Sequence, residues 1–115
     1  MFKVVKRDGE VAAFDIGKIT NAIEKAFKAT EKQFNTDIIE LLGLRVTADF
    51  QNKIKDSLID VESVQDSVET VLEQSGYSDV AKAYILYRKQ REKIRNMKST
   101  ILDYKDIVNS YVKVE

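Results

Sequence analysis

The chain has 115 residues, 43% of them hydrophobic and 33% charged, a composition typical of one globular domain with a modest core. Nineteen basic residues balance nineteen acidic ones, so the net charge attracts neither nucleic acid nor an anionic membrane. The absence of cysteine and histidine excludes disulfides, Cys/His zinc sites and a histidine general base, and without a long apolar segment we expect an intracellular, cytoplasmic protein.

The first predicted element is a β-hairpin. Two apolar segments, residues 2–6 and 11–14, flank the turn sequence RDGE, in which Gly9 can adopt the positive φ that a tight turn requires. We therefore predict two antiparallel strands over these segments. The sequence SLI at residues 57–59 is a candidate for a short third strand that extends the hairpin.

Four helices are predicted after the hairpin, because each apolar stripe at helical spacing follows a residue that caps helix N-termini. The predicted helices begin at Asp15, about Asn35, Asp60 and about Ser78. The second runs towards Ile54, the third ends at Gly76, and the fourth reaches Asn96 or beyond. The expected fold class is α+β and mostly helical, with a small antiparallel sheet of two or three strands packed on a four-helix domain.

Basic residues are concentrated in the fourth predicted helix. Arg88, Arg91 and Arg95 share one helix face with Tyr84, whereas the preceding helix is acidic. A solvated face beside an acidic neighbour is the simplest interpretation. A nucleic-acid face is the alternative, but it requires an aromatic platform or a reading helix, and the sequence indicates neither.

Lys18 lies three residues after the predicted cap Asp15, in the first turn of the first helix. A cation there opposes the helix macrodipole at a cost of a few tenths to about 1 kcal/mol. Many proteins tolerate such a lysine, which is one explanation. The other is that an anion binds at the helix N-terminus, with Lys6 and Arg7 from the end of the first strand beside it. The sequence has no Walker loop, so spacing alone leaves both explanations open.

Four motifs in combination resemble the ATP-cone, the nucleotide-sensing module found at the N-terminus of many ribonucleotide reductases. They are K-R-D-G at residues 6–9, F-D-x-x-K-I at 14–19, VESVQDSVETVL at 61–72, and A-x-x-Y-I-L-Y-R-x-x-R at 81–91. The resemblance covers residues 3 to about 95. The fourth helix and the tail look most like the anaerobic, class III ribonucleoside-triphosphate reductases.

The resemblance implies a sensor without chemistry of its own. A reductase needs active-site cysteines, which this chain lacks, and the related transcriptional repressor carries a zinc ribbon that is also missing. Family members bind ATP as activator and dATP as inhibitor, and Mg²⁺ is expected with the nucleotide. The implied partners are the catalytic domain of a parent reductase and a second cone, with no nucleic acid and no membrane. Residues 1–97 are expected to form the cone, and residues 98–115 a helical tail or linker.

The resemblance also assigns expected roles to individual residues, none of them catalytic and none a metal ligand. The implied phosphate contacts are Lys6, Arg7, Lys18, Arg88 and Arg91. The implied base and ribose contacts are Val4, Val5, Asp15, Ile19, Ala22 and Gln65. Two of these have an ordinary structural alternative, because Asp15 is first of all a helix cap and Ile19 equally suits the core. Ala12 departs from relatives that carry a carboxylate near the ribose.

The expected mechanism is electrostatic. The Lys and Arg side chains would repel one another in an empty site, and the nucleotide phosphates would relieve that repulsion and tie the hairpin to the first and last helices. Two rival functions remain, a nucleic-acid-binding module that uses Arg88, Arg91 and Arg95, and an interaction domain that assembles through its apolar helix faces. Neither accounts for the clustering of Lys6, Arg7 and Lys18.

Overall fold

The computed structural model describes the backbone of residues 1–113 and the side chains of residues 1–98. The chain divides into two compact units, Met1–Ile85 and a second unit that begins at Leu86. The elements, in chain order, are β1 (Lys3–Val5), β2 (Val11–Ala13), α1 (Ile16–Ala29), α2 (Thr36–Asp49), a 3₁₀ turn (Gln51–Lys53), β3 (Leu58–Asp60), α3 (Val61–Gln74) and α4 (Ser78–Lys113). The predicted α+β, mostly helical class is confirmed.

The three strands form one sheet with β1 in the centre, in the order β2-β1-β3. The antiparallel hairpin is confirmed, with Val5 opposite Val11 and Lys3 opposite Ala13. The third strand exists, but it runs parallel to β1, with Val5 opposite Asp60. The sheet is therefore mixed rather than wholly antiparallel, because β3 returns to β1 after two intervening helices instead of through a tight turn.

The hairpin turn has the geometry that its sequence predicts. The Lys6 N–H donates to the Glu10 carbonyl at 2.7 Å, and the Gly9 N–H donates to the Lys6 carbonyl at 3.0 Å. Gly9 has a φ of 89°, a left-handed conformation that glycine adopts without a side-chain clash. The Asp8 carboxylate accepts a hydrogen bond from the Glu10 N–H at 2.9 Å and closes the turn.

Side-chain caps begin the first three helices where the sequence predicts them. Asp15 accepts from the Gly17 N–H at 2.9 Å, Asn35 from the Ile38 N–H at 2.8 Å, and Asp60 from the Ser63 N–H at 3.2 Å. These bonds satisfy donors that the helix itself leaves unpaired. Helix α3 ends at Gln74, shortly before Gly76, whose φ is 87°.

Helix α2 is shorter than predicted, since it ends at Asp49 and not near Ile54. Phe50, the residue after the helix, is fully buried and packs edge-on against Phe2 and Phe14 with ring centroids 5.5 Å away. Because Phe50 packs in this way, the α-helix ends before it and the chain continues as the 3₁₀ turn. A tight turn at Asp56 and Ser57, both with positive φ, then directs β3 alongside β1.

The core of the first unit lies between the sheet, helices α1, α2 and α3, and the first turns of α4, where Val80 and Ala81 are fully buried. Its buried apolar residues include Ile23 and Phe27 of α1, Val46 of α2, and Leu72 of α3. A second aromatic group joins Phe27 to Phe34 and Tyr77. Beside it, the Lys32 ammonium lies 3.1 Å from the Asp79 carboxylate and 5.2 Å from the centre of the Tyr77 ring.

The second unit is the continuation of α4 from Leu86 to Lys113. The helix thus extends past Asn96, as predicted, and residues 98–113 are helical. Leu86, Ile94 and Met97 are exposed on it. Within the described residues, no helix combines the length and the apolar character needed to cross a membrane.

Candidate functional site

The candidate site begins at the edge of the sheet where β1 and β3 both end. Parallel pairing brings the carboxyl ends of two strands to the same edge, and here Val5 lies opposite Asp60. Lys6 and Arg7 follow β1 directly, and Asp60 caps α3. The register therefore places the segment that carries Lys6 and Arg7 beside the first turn of α3.

Arg7 contacts α3 through both of its terminal nitrogens. Its Nη1 forms an ion pair with the Glu62 carboxylate, and its Nη2 donates to Gln65 Oε1 at 2.9 Å. Glu62 and Gln65 are three residues apart and share one face of α3, so that the planar guanidinium spans both acceptors. We call these three residues the Arg7 cluster. Gln65 was predicted as a site residue and meets Arg7 here.

Lys6 and Lys18 are exposed. Within the part of the chain that the structure describes, neither ammonium group has an ion-pair or hydrogen-bond partner. Within the described residues, the repulsion expected among the predicted cations is therefore not offset at Lys6 or Lys18. At Arg7 it is offset, because Glu62 compensates the Arg7 charge.

The first turn of α1 differs from the first turns of the other helices. Asp37, Glu62 and Asp79 place a carboxylate in the first turns of α2, α3 and α4, where it complements the helix dipole. The first turn of α1 has no acidic residue and carries Lys18 instead. Among the cap and first turn of α1, Asp15 is thus the carboxylate that complements the helix dipole.

Lys18 and the Lys6–Arg7 pair follow opposite ends of the hairpin strands. Strand β2 runs antiparallel to β1, so that Ala13 pairs with Lys3 and α1 begins near that end. The rings of Phe2 and Phe14 mark the same end, with centroids 4.9 Å apart. A strand of three residues spans only about 10 Å, so this is the distance between the end of β1 that leads to Lys6 and the end of the hairpin that leads to α1.

The predicted base and ribose residues divide by burial. Ile19 belongs to the buried core, while Val4 and Ala22 are half-buried and pack against it. Val5 is half-buried in the central strand. Asp15 caps α1, which confirms its structural role and leaves a ribose contact as a prediction.

Arg88 and Arg91 lie on α4 in the second unit, where Arg88 is half-buried and Arg91 is exposed. Their part in a site with Lys6 and Arg7 stays a prediction.

Glu62 is the residue that sequence reasoning missed. It lies in the VESVQDSVETVL motif beside Gln65, but nothing in the local pattern distinguishes it from the other acidic residues of α3. The signal lies in the pairing of β1 with β3, which a local pattern does not contain. Knowledge of that parallel register would have placed the first turn of α3 next to Arg7.

The described residues contain no group of three or more acidic residues that could hold a metal ion. Mg²⁺ prefers several oxygen ligands in octahedral geometry and is commonly held by nucleotide phosphates and water. The residues present therefore fit an ion that arrives with its nucleotide better than an ion bound by the protein alone.

The chain matches a known protein family over most of its length. The family model described as the ATP cone domain matches residues 2–93, a range that includes Lys6, Arg7, Lys18, Glu62 and Gln65.

Relatives include three kinds of ribonucleotide reductase. The vitamin B12-dependent ribonucleoside-diphosphate reductase of Thermoplasma acidophilum is 44% identical over 101 residues, which cover 84% of this chain and 13% of the relative. The ribonucleoside-diphosphate reductase subunit alpha of Chlamydia pneumoniae is 41% identical over 99 residues, 80% of this chain and 9% of the relative. The anaerobic ribonucleoside-triphosphate reductase of Haemophilus influenzae is 36% identical over 103 residues, 87% of this chain and 14% of the relative. The chain thus spans a small fraction of each relative, and the relatives do not single out the anaerobic class.

Proposed function

The chain belongs to the ATP-cone domain family. We propose that it is a regulatory domain that binds ATP and dATP and signals to a catalytic domain which of the two nucleotides is bound. The observation that carries this proposal is the placement of three cations around the short hairpin. Lys6 and Arg7 end β1, and Lys18 occupies a helix first turn without a carboxylate. Phosphate groups favour such surroundings, since Lys and Arg donors and a helix N-terminus all stabilise negative charge.

In the proposed complex, the phosphates lie along the hairpin between Lys6 and Arg7 at one end and Lys18 at the other. The adenine ring rests on the apolar side chains nearby. The residues proposed for these roles are Val4, Val5, Ile19 and Ala22 for the base and Asp15 and Gln65 for the ribose, with Arg88 and Arg91 proposed as further phosphate contacts. Mg²⁺ accompanies the nucleotide on the phosphates.

The parent protein in this proposal is a ribonucleotide reductase, as the relatives are. The cone over residues 1–97 does no chemistry itself and regulates a catalytic domain to which residues 98–115 lead. ATP activates and dATP inhibits, either through association of cones or through restraint of the catalytic domain. We also propose that the parent reductase belongs to the anaerobic class, as the Haemophilus influenzae relative does.

Discrimination between ATP and dATP depends on a single hydroxyl. One hydrogen bond contributes about 0.5–1.5 kcal/mol, a two- to tenfold difference in affinity. A ligand shifts a conformational equilibrium only by its differential affinity for the two states. The ribose hydroxyl is therefore expected to act on the position of the hairpin or of α3.

Calorimetric titration with ATP and with dATP, both with Mg²⁺, tests this function. We expect micromolar binding of the wild-type chain. Lys6→Ala and Lys18→Ala are each expected to weaken it about tenfold or more, because each removes a charge-assisted hydrogen bond to phosphate. Light scattering on the same samples reports whether dATP changes the mass of the assembly.

Lys28→Ala is the matched control for Lys18→Ala. Both lysines are exposed on α1, but Lys28 lies in the last turn, about 15 Å further along the helix. The control should bind as the wild type does. An absence of binding to either nucleotide would overturn the proposed function. Salt-sensitive binding to oligonucleotides, unaffected by Lys6→Ala, would favour the nucleic-acid module instead.

A further inference from the structure

Arg7 has two partners on α3, Glu62 and Gln65. Its Nη1 pairs with the Glu62 carboxylate and its Nη2 donates to the Gln65 amide oxygen. These are also the nitrogens with which an arginine binds a phosphate group, since the guanidinium fork matches carboxylate and phosphate in the same way. A phosphate that engages Arg7 through this fork must therefore compete with Glu62.

The Arg7 cluster is fixed by the fold and open to a ligand. The parallel register of β1 and β3 brings Arg7 to α3, and the Asp60 cap sets the first helical turn that holds Glu62. The side chains of Arg7 and Glu62 are nevertheless 30% and 47% exposed. A pair exposed to this degree exchanges partners at modest cost, in contrast to a buried pair.

Lys6, Arg7 and Lys18 are not equivalent in the structure. Glu62 compensates the charge of Arg7, while the ammonium groups of Lys6 and Lys18 have no carboxylate partner within the described residues. The two lysines provide the standing positive charge of the site. Arg7 engages a phosphate through its guanidinium fork only to the extent that the ligand releases it from Glu62.

We infer that Glu62 is an internal competitor for Arg7, which nucleotide phosphates displace, and that it sets the affinity of the site without touching the ligand. This inference rests on the proposed function. Glu62 is a positioning residue, because it acts through Arg7. When it is displaced, its carboxylate stays in the first turn of α3, where the helix dipole stabilises it without Arg7.

The exchange also provides a route for the signal. In the structure, Arg7 joins the hairpin turn to α3 through a contact between residues 55 positions apart. When Arg7 moves to a phosphate, this connection is lost and the hairpin is held by the ligand instead. The ligand therefore replaces one link between the hairpin and α3 with another.

The variant Glu62→Gln tests the inference. It keeps the shape of the side chain and removes the competing charge, so we expect ATP with Mg²⁺ to bind about two- to fivefold more tightly, the range of a partly exposed ion pair. The affinity for inorganic tripolyphosphate should increase by the same factor, because Glu62 competes only with the phosphates for Arg7. Glu40→Gln, which removes one exposed carboxylate from α2, is the control for net charge and should leave both affinities unchanged.

The same substitution in an Arg7→Gln background separates the exchange from a general electrostatic effect. Without Arg7 there is nothing to release, so Glu62→Gln should no longer tighten binding, whereas an effect of charge alone would persist. Thermal melts of all variants report their folding.

The outcomes distinguish the two proposals. Wild-type binding with unchanged or weaker binding by folded Glu62→Gln would overturn the role of Glu62 and leave the proposed function intact. A gain that persists in the Arg7→Gln background would also overturn it. If neither the wild type nor Glu62→Gln binds ATP or tripolyphosphate, both proposals fail.

Discussion

Gly43 is buried on α2 where this helix lies against α1. A Cβ atom at this position would come within 2.8 Å of Thr20 Cγ2, closer than two carbon atoms approach without strain. Thr20 has little freedom to move, because its Oγ1 donates to the Gly17 carbonyl at 3.1 Å and its β-branched side chain is stiff in a helix. The two helices thus meet at a position that has room only for hydrogen.

Gly43→Ala should therefore destabilise the domain. Alanine gains up to about 1 kcal/mol in helix propensity, but an overpacked contact costs about 1–3 kcal/mol. We expect a net decrease of about 1–2 kcal/mol in the free energy of unfolding, measured by urea denaturation.

Thr20→Ser provides the control, since serine lacks Cγ2 and keeps the hydroxyl. In the Thr20→Ser background, Gly43→Ala should lower the free energy of unfolding less than it does in the wild type, or even raise it. Equal costs in both backgrounds would show that Thr20 is not what restricts position 43.

At the level of elements, the turn between the 3₁₀ segment and β3 carries unusual strain. Asp56 and Ser57 have φ of 52° and 60°, both left-handed, and the Lys55 and Leu58 backbones exchange hydrogen bonds of 2.9 Å across them. This is the geometry of a two-residue turn that normally selects Asn-Gly or Asp-Gly. The backbone at position 57 must keep this conformation, because the Ser57 carbonyl accepts a hydrogen bond from the Lys3 N–H at 2.9 Å and so fixes β1.

Ser57→Gly should stabilise the domain by about 0.5–1 kcal/mol. Glycine removes the steric cost of the left-handed conformation, and this gain exceeds the entropy that glycine adds to the unfolded chain. The measurement is the midpoint of chemical denaturation. Ser57→Ala is the control and should give no gain, since alanine keeps the Cβ atom that causes the strain; a gain with alanine would contradict this account.

For the whole molecule, the composition and the Lys32–Asp79 ion pair both bear on the dependence of stability on pH. With no histidine, no side chain of ordinary pKa titrates between pH 5 and 8. The hydrogen bond from Lys32 lowers the pKa of Asp79 in the folded state. This pair therefore contributes stability above the unfolded pKa of aspartate, about 3.9, and loses its contribution as the pH falls through the lower folded value.

Lys32→Met should thus reduce stability slightly at pH 7, and the difference from the wild type should disappear at acid pH. Thermal melts between pH 2 and 7 measure this. In parallel, an NMR titration should find a higher pKa for Asp79 in Lys32→Met than in the wild type. A difference in stability that stays constant down to pH 2 would argue that Lys32 acts through packing on Tyr77 instead.

The extent to which the fold could be predicted depends on the range of each signal. The hairpin turn and the caps at Asp15, Asn35 and Asp60 were predictable because a turn glycine or a capping side chain acts within a few residues. The end of α2 was not, since the packing of Phe50 against two residues near the N-terminus decides it.

The candidate site divides in the same way. Lys6, Arg7 and Lys18 were identifiable from local features, namely their places at a strand end and in a helix first turn. Glu62 was not, because its relation to Arg7 depends on the parallel pairing of β1 with β3. The same pairing explains why Gln65, predicted only by resemblance, meets Arg7 in the structure.

The pairing of the first strand with the third also has a consequence for the order of events during synthesis. Arg7 leaves the ribosome early, but its partners Glu62 and Gln65 on α3 follow 55 and 58 residues later. Closing a loop of this length carries an entropy cost that only the completed core offsets. The nascent chain therefore has its cations long before it has the Arg7 cluster, and that cluster forms only when the first unit has finished folding.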